Sequence, residues 1–258
     1  MARIGSIAWH TFKEAARDRV LYNLIVFALL MIGASILFGQ ISVGIEGIIL
    51  VDLGLSSIAV FGLLMAILIG IGLVSKEIER RTIFNVLSKP VRRYEFILGK
   101  YLGLLLTLSI NTGVMTAGFY LALFFQKRHL SAEDVLPLGA IYFILLQFAI
   151  VVAWALFFSC ISTPVLSAVF TFSIYVAGHF LSDLQFFGEE TRSSIVSGLT
   201  TFLYYVLPNF ADFDVITRTA HGEKISGLLF TANSLYALLY VTVLISAAVL
   251  VFEEKEFR

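Results

Sequence analysis

Few residues in this chain are spaced to do covalent chemistry. Its four histidines, His10, His129, His179 and His221, lie far apart and share no metal-ligand spacing with one another or with the single cysteine, Cys160. The pair Gly99-Lys100 is followed by Tyr101 and lacks the upstream glycine of a phosphate-binding loop, so ATP hydrolysis is not expected in this chain. No Ser–His, paired Asp or His-Glu-x-x-His arrangement occurs within an apolar run, which disfavours intramembrane proteolysis. The side chains left to consider are the amides Asn111 and Gln147, read as interhelical hydrogen bonders. His179 and Asp183, four apart, are read as facing each other on one helix in an interfacial capping role. With no other ionisable group at mid-span, ion-coupled carriage is disfavoured. Neither metal nor cofactor is expected, and Cys160 reads as a small core hydrophobe.

The elements that position these residues are membrane spans. Of 258 residues, 59% are hydrophobic and 14% charged, against about 45–50% and about 25% in soluble domains, and mean hydropathy is +0.94. Lys+Arg and Asp+Glu are 18 each, and the zero net charge gives no reason to expect a nucleic-acid partner. Stretches long enough for a hydrocarbon core of about 30 Å predict six transmembrane helices in an all-α polytopic protein. They lie near residues 20–40, 53–75, 101–126, 138–161, 164–182 and 228–252 of a single transmembrane domain covering 1–258. Ser162-Thr163-Pro164 divides the fourth from the fifth, because proline ends one helix and fits the first turn of the next. Glu46 and Asp52 are expected at the turn between the first two spans.

Residues 183–227 form an outer loop holding Glu189-Glu190, Tyr204-Tyr205, Leu207-Pro208-Asn209 and Asp212-Phe213-Asp214. Within it, 193–211 is uncharged but diluted by Ser, Gly, Thr and Pro, and reads as re-entrant or interfacial rather than a seventh crossing. The outer loop reads either as a seat of specificity or as a plain connecting loop.

Thirteen of the eighteen cations flank one side of this layout: the amino end, residues 76–100 and the carboxyl end. That side is expected to be cytoplasmic, with both termini on it. Eight acids accompany those thirteen cations, whereas the other side carries five cations and ten acids. Ile4, Ile7, Ala8, Phe12, Ala15 and Ala16 recur at helical spacing, with Arg3, Lys13, Glu14, Arg17 and Asp18 opposite. Residues 1–19 thus read as an amphipathic elbow helix lying in the interface, with Trp9 at headgroup depth. The apolar run begins only at Val20 and no small-residue cleavage pattern follows it, so a cleaved signal peptide is not expected.

Residues 76–100 carry seven cations and three acids in two clusters. Between the clusters, Ile83, Val86 and Leu87 share one side of a short helix, with Phe84 also apolar. Lys89-Pro90 stops that helix, and Pro90 is expected to open the next. Topology-setting charge explains the arginines but not the exposed Ile, Phe and Leu, so the loop reads as a surface for another protein. Gly70, Gly72, Gly99 and Gly103 flank it and permit close packing.

The run Glu79-Arg80-Arg81-Thr82, then Val86-Leu87-Ser88-Lys89-Pro90-Val91, Arg93, and Gly99-Lys100 with Gly103, resembles the ABC-2-type transporter permeases. Arg81 stands where many members have glycine. Ala8–Tyr22, with Phe12-Lys13-Glu14 and Arg17-Asp18-Arg19, looks like the subgroup that includes the permease of the nitrous-oxide-reductase maturation system. The resemblance implies a type V exporter fold in a prokaryotic inner membrane, paired with a second permease subunit as homodimer or heterodimer. It also implies two copies of a separate ATPase subunit, which would hold ATP and Mg. By position, a coupling helix would span Thr82, Ile83, Phe84, Asn85, Val86 and Leu87. Glu77, Glu79, Arg80, Arg81, Ser88, Pro90, Arg92 and Arg93 would complete the ATPase-coupling surface, and Asn111, Gln147, His179 and Asp183 would be pathway or helix-packing polar residues. The competing reading is a polytopic anchor that recruits a soluble partner through the same loop without transport.

Overall fold

The computed structural model describes residues 2–41, 44–79, 92–129, 131–190 and 194–254. Among them all regular structure is helical: α1 (Ala2–Ala15), α2 (Arg19–Ile41), α3 (Glu46–Glu79), α4 (Arg93–Lys127), α5 (Leu136–Ile161), α6 (Pro164–His179), α7 (Leu181–Glu190), α8 (Ser194–Val206), α9 (Ile216–Ala220) and α10 (Gly227–Glu254). Short 3-10 turns cover Ala132–Val135 and Ala211–Phe213.

Five of these helices are long and apolar enough to cross a bilayer: α2, α3 over Glu46–Gly72, α4, α5 with its preceding turn, and α10. The fifth expected span is α6, which at 16 residues is only about 24 Å long. The turn between α2 and α3 also differs from expectation. Helix α3 already begins at Glu46, so Asp52 lies within it rather than in the turn.

The centre of the bundle is α3 and α5. Helix α5 packs on α3, α4, α6, α9 and α10, and α3 on α2, α4, α5, α6 and α9. Their most apolar windows are 67% (α3) and 61% (α5) buried, against 22% for α2 and 28% for α10, although all four are similarly hydrophobic. Hydropathy alone therefore does not order helices within such a bundle. Small and shape-matched side chains do, since lipid tails are as apolar as leucine. Helix α5 contributes Ala140, Ala153, Ala155, Ser159 and Cys160 to the interior, beside the fully buried Phe143 and Phe148. Helices α2 and α10 leave Phe27, Leu30, Leu37, Leu235, Leu239 and Val243 exposed.

Ser162 and Thr163 adopt extended backbone after α5, and Pro164 opens α6. The two helices form a hairpin in which Gln147 and Gly178 each lie fourteen residues, about 21 Å, from their own end at this turn. Helix α6 ends one residue beyond Gly178, ten residues short of the start of α5. Residues 207–225 occupy the space above it.

Candidate functional site

Two constructions stand at opposite ends of the bundle. The first surrounds the start of α4. A Cβ at Gly99 would come within 2.7 Å of Ile7 and 3.2 Å of the Ile4 carbonyl oxygen, and one at Gly103 within 2.5 Å of the Ala8 carbonyl oxygen and 2.6 Å of Thr11 Cβ. Only glycine allows the α1 backbone to lie this close, and the two glycines form a seam in which α1 rests. Between them on the helix, Lys100 is 2% exposed, 3.8 Å from the Glu14 carboxylate and over the Phe96 ring. Glu14 stays exposed, as expected of the polar face of α1, and reaches the buried Lys100 from its edge, giving the ammonium an opposite charge.

The same turn of α4 holds α10. Arg93 Nη1 donates to the Phe252 carbonyl at 3.0 Å and also to that of Glu253, and Phe96 stacks on Phe252 at 5.7 Å. The last carbonyls of a helix lack intrahelical donors, and a guanidinium there satisfies them while complementing the helix dipole. Arg92 precedes the helix in extended conformation, and its N–H donates to Glu95 Oε2 at 3.0 Å. Among the described residues α3 is helical to Glu79 and α4 opens at Arg93 after the extended Arg92; the helix start expected at Pro90 lies outside the described residues.

Residues Arg80, Arg81, Thr82, Ile83, Phe84, Asn85, Val86, Leu87, Ser88 and Pro90 lie outside the described residues. Glu77 and Glu79 are described only as backbone of α3. Of the expected coupling residues with described side chains, Arg92 is exposed and Arg93 is engaged with α10. Gly70 packs against Ala155 on α5, and Gly72 faces open space.

The second construction is the stretch following α8. Val206 receives the Tyr240 hydroxyl at its carbonyl (2.8 Å), thirteen residues and about 20 Å along α10 from Gly227. From there the chain climbs back. Asn209 N–H donates to the Tyr236 hydroxyl (3.2 Å) and Asn233 Nδ2 to the Asp212 carbonyl (2.8 Å), so successive contacts ascend one face of α10. On α5 the parallel steps are Gln147, whose Nε2 donates to the Phe210 carbonyl at 3.2 Å, then Phe143 against Phe213, then Gly139 against Ile225. Phe210 N–H donates to the Gly178 carbonyl at 3.0 Å. Phe210, Phe213 and Val215 are almost wholly buried. The backbone polar groups carried inside are met by side-chain amides and phenols, as burial of irregular backbone requires.

Gln147 therefore binds backbone of the climbing segment rather than another helix. Asn111 makes a weak interhelical contact, its Nδ2 lying 3.6 Å from Met65 Sδ on α3. His179 Nδ1 is 3.0 Å from the Tyr175 carbonyl, and its ring stacks on Phe210. His179 and Asp183 do not face each other along one helix: α6 ends at His179, Phe180 breaks the backbone, and Asp183 is exposed on α7. Asn209, Asn233, Tyr236 and Tyr240 were not anticipated. Asn233, an amide within an apolar run, carried the same signal as Gln147.

Where α4 meets α5, the buried Asp134 receives Lys127 Nζ at 2.5 Å and both the N–H and the hydroxyl of Ser131. Among the described residues no group of three or more His, Cys, Asp or Glu is placed to hold a metal.

The arrangement offers no nucleophile or acid–base pair among these residues. It offers a stiff joint at the start of α4 and a folded-back segment across the bundle from it. A family model described as ABC-2 family transporter protein matches residues 6–257. A comparison with curated proteins finds no match.

Proposed function

The chain belongs to the ABC-2 family of transporter proteins, and from that premise we propose that it is an exporter permease driven by a separate ATPase docking on residues 76–100. Membership makes it a membrane permease component of an ABC transporter, with an ABC ATPase as its implied partner. In the proposal two permease chains pair with two ATPases in a prokaryotic inner membrane. Both termini and residues 80–91 face the cytoplasm, and α6 serves as the sixth span despite its length. Thr82–Leu87 form the coupling helix, with Glu77, Glu79, Arg80 and Arg81 before it and Arg92 and Arg93 after it. On the sequence of Ala8–Tyr22 we place the chain beside the subgroup named above.

The observation that carries this reading is the joint around α4. A motor moves membrane helices only through a stiff contact. The first turns of α4, directly after the loop, are fastened to α1 by a glycine seam and to α10 by Arg93 and Phe96. A push on the loop would move three helices together. Across the bundle, 193–211 is proposed as the re-entrant or interfacial element, with residues 207–215 at its end closing the exit, and of the pathway or helix-packing polar residues Asn111, Gln147, His179 and Asp183 it is Gln147 and His179 that lie at its foot.

The test is reconstitution with the partner ATPase. Phe84→Asp and Leu87→Asp are expected to abolish the stimulated ATPase rate while leaving folding and membrane insertion intact. Stimulation that survives both substitutions overturns the docking assignment. Co-purification without stimulated hydrolysis or transport would favour the anchor reading instead.

A further inference from the structure

Helix α1 has two unlike sides. The inner one, Ile4, Ile7, Ala8 and Thr11, fills the Gly99/Gly103 seam. The two acids of the region are engaged: Glu14 pairs with Lys100, and Asp18 Oδ1 accepts the Val20 N–H at 3.0 Å, capping α2. Lys13, Arg17 and Arg19 are exposed around the corner that joins α1 to α2. Trp9 is 54% exposed, with the Lys13 ammonium 5.3 Å from its ring centroid. The Tyr22 hydroxyl donates to the Ala16 carbonyl at 2.7 Å and fixes the corner. An indole with the Lys13 ammonium over its ring, followed by a corner where Arg17 and Arg19 are also exposed and the neighbouring acids are already bonded, is complementary to a surface of lipid phosphates.

We infer that Trp9, Lys13, Arg17 and Arg19 bind anionic phospholipid headgroups of the leaflet in which α1 lies, and that the α1–α4 seam makes the hold on the first turns of α4 depend on leaflet charge. The seam has little slack, since a Cβ at Gly103 would meet the Ala8 carbonyl oxygen at 2.5 Å and one at Gly99 the Ile7 side chain at 2.7 Å. Pressing α1 toward the membrane therefore tightens α4 where it leaves residues 80–91, and releasing it loosens that turn. The inference rests on the proposed permease topology only in assigning α1 to the cytoplasmic leaflet.

The full chain carries two tryptophans, so Trp154→Phe leaves Trp9 as sole reporter. The protein is reconstituted in phosphatidylcholine brominated high in the acyl chain, with and without phosphatidylglycerol. Stronger quenching of Trp9 is expected in the mixture, together with slower amide exchange over Arg93–Leu98. The docked-to-undocked ratio should fall roughly fivefold for each cation removed in the series Lys13→Gln, Arg17→Gln, Arg19→Gln, and high salt should mimic the triple variant. Equal quenching in the two bilayers, or a response that survives the triple substitution, overturns the inference. So does Trp9 responding while α4 exchange stays unchanged. Inorganic phosphate reproducing the effect in phosphatidylcholine alone would overturn the assignment to lipid. No ATPase takes part in these measurements, so their failure and that of the permease reading are distinguishable.

Discussion

The joint at the start of α4 and the climbing segment at the other end of the bundle are held by different chemistry. At the joint, glycine lets two backbones touch, a buried ammonium meets a carboxylate, and a guanidinium meets carbonyls. At the climbing segment Gly178 likewise lets a backbone carbonyl, that of Pro208, come close, but the polar contacts are neutral: amides and phenols meet single carbonyls, and aromatic rings fill the gaps. Charge-assisted bonds are roughly twice as strong as neutral ones. The polar contacts of the joint are therefore the harder to break, whereas each neutral bond contributes about 1 kcal/mol net. One end is built to transmit a displacement and the other to come apart in small steps.

The most severe way to break this contrast is Gly103→Leu. Its side chain would have to displace the Ala8 carbonyl, and destabilisation of about 3 kcal/mol or more is expected in detergent thermal unfolding, with α1 exchanging its amides freely. Gly178→Ala tests the other end. Its Cβ would meet the Pro208 carbonyl at 2.4 Å and the Phe210 ring at 2.6 Å, and a loss of about 2 kcal/mol with faster exchange confined to 207–215 is expected. Loss of protection across α1 and α4 in that variant would abolish the distinction between the two ends. Gln147→Leu removes the donor to Phe210 and leaves a buried carbonyl unpaired. A loss of about 1–2 kcal/mol is expected, with raised labelling of a cysteine placed at Asp212.

The smallest effect concerns Asp134. Asp134→Asn keeps the Ser131 contacts but removes the charge that Lys127 meets, and a loss of less than about 1 kcal/mol is expected in thermal unfolding, because Lys127 is a third exposed. An unchanged midpoint would show that the ion pair does not contribute to folding.

Much of the helical layout was legible because an apolar run of about 20 residues with a charged flank has one economical conformation in lipid. Asp52 misled because a single carboxylate near a helix end looks like a turn, yet it costs little at an interface. Gln147 was recognisable as a buried hydrogen bonder, but its partner Phe210 lies 63 residues away on a segment without helical periodicity. Glu14 is exposed as the amphipathic pattern implies, but the pattern does not show that its carboxylate reaches the buried Lys100 of another helix. The Gly99/Gly103 spacing was visible as a packing surface, but sequence does not say which helix comes to it. The residues of the proposed coupling helix lie outside the described residues, and their roles rest on sequence resemblance.

The brevity of α6 has a consequence for where the protein fits in a membrane. If α6 serves as the proposed sixth span, its 16 residues fall short of a hydrocarbon core of about 30 Å by about 6 Å, and the remainder beside it is filled by the climbing backbone of residues 207–215. A thicker bilayer would surround that insertion with more hydrocarbon, and each ångström of mismatch costs a fraction of a kcal/mol. Thin bilayers therefore suit this chain best, and acyl-chain length becomes a control on the insertion that acts without any ligand.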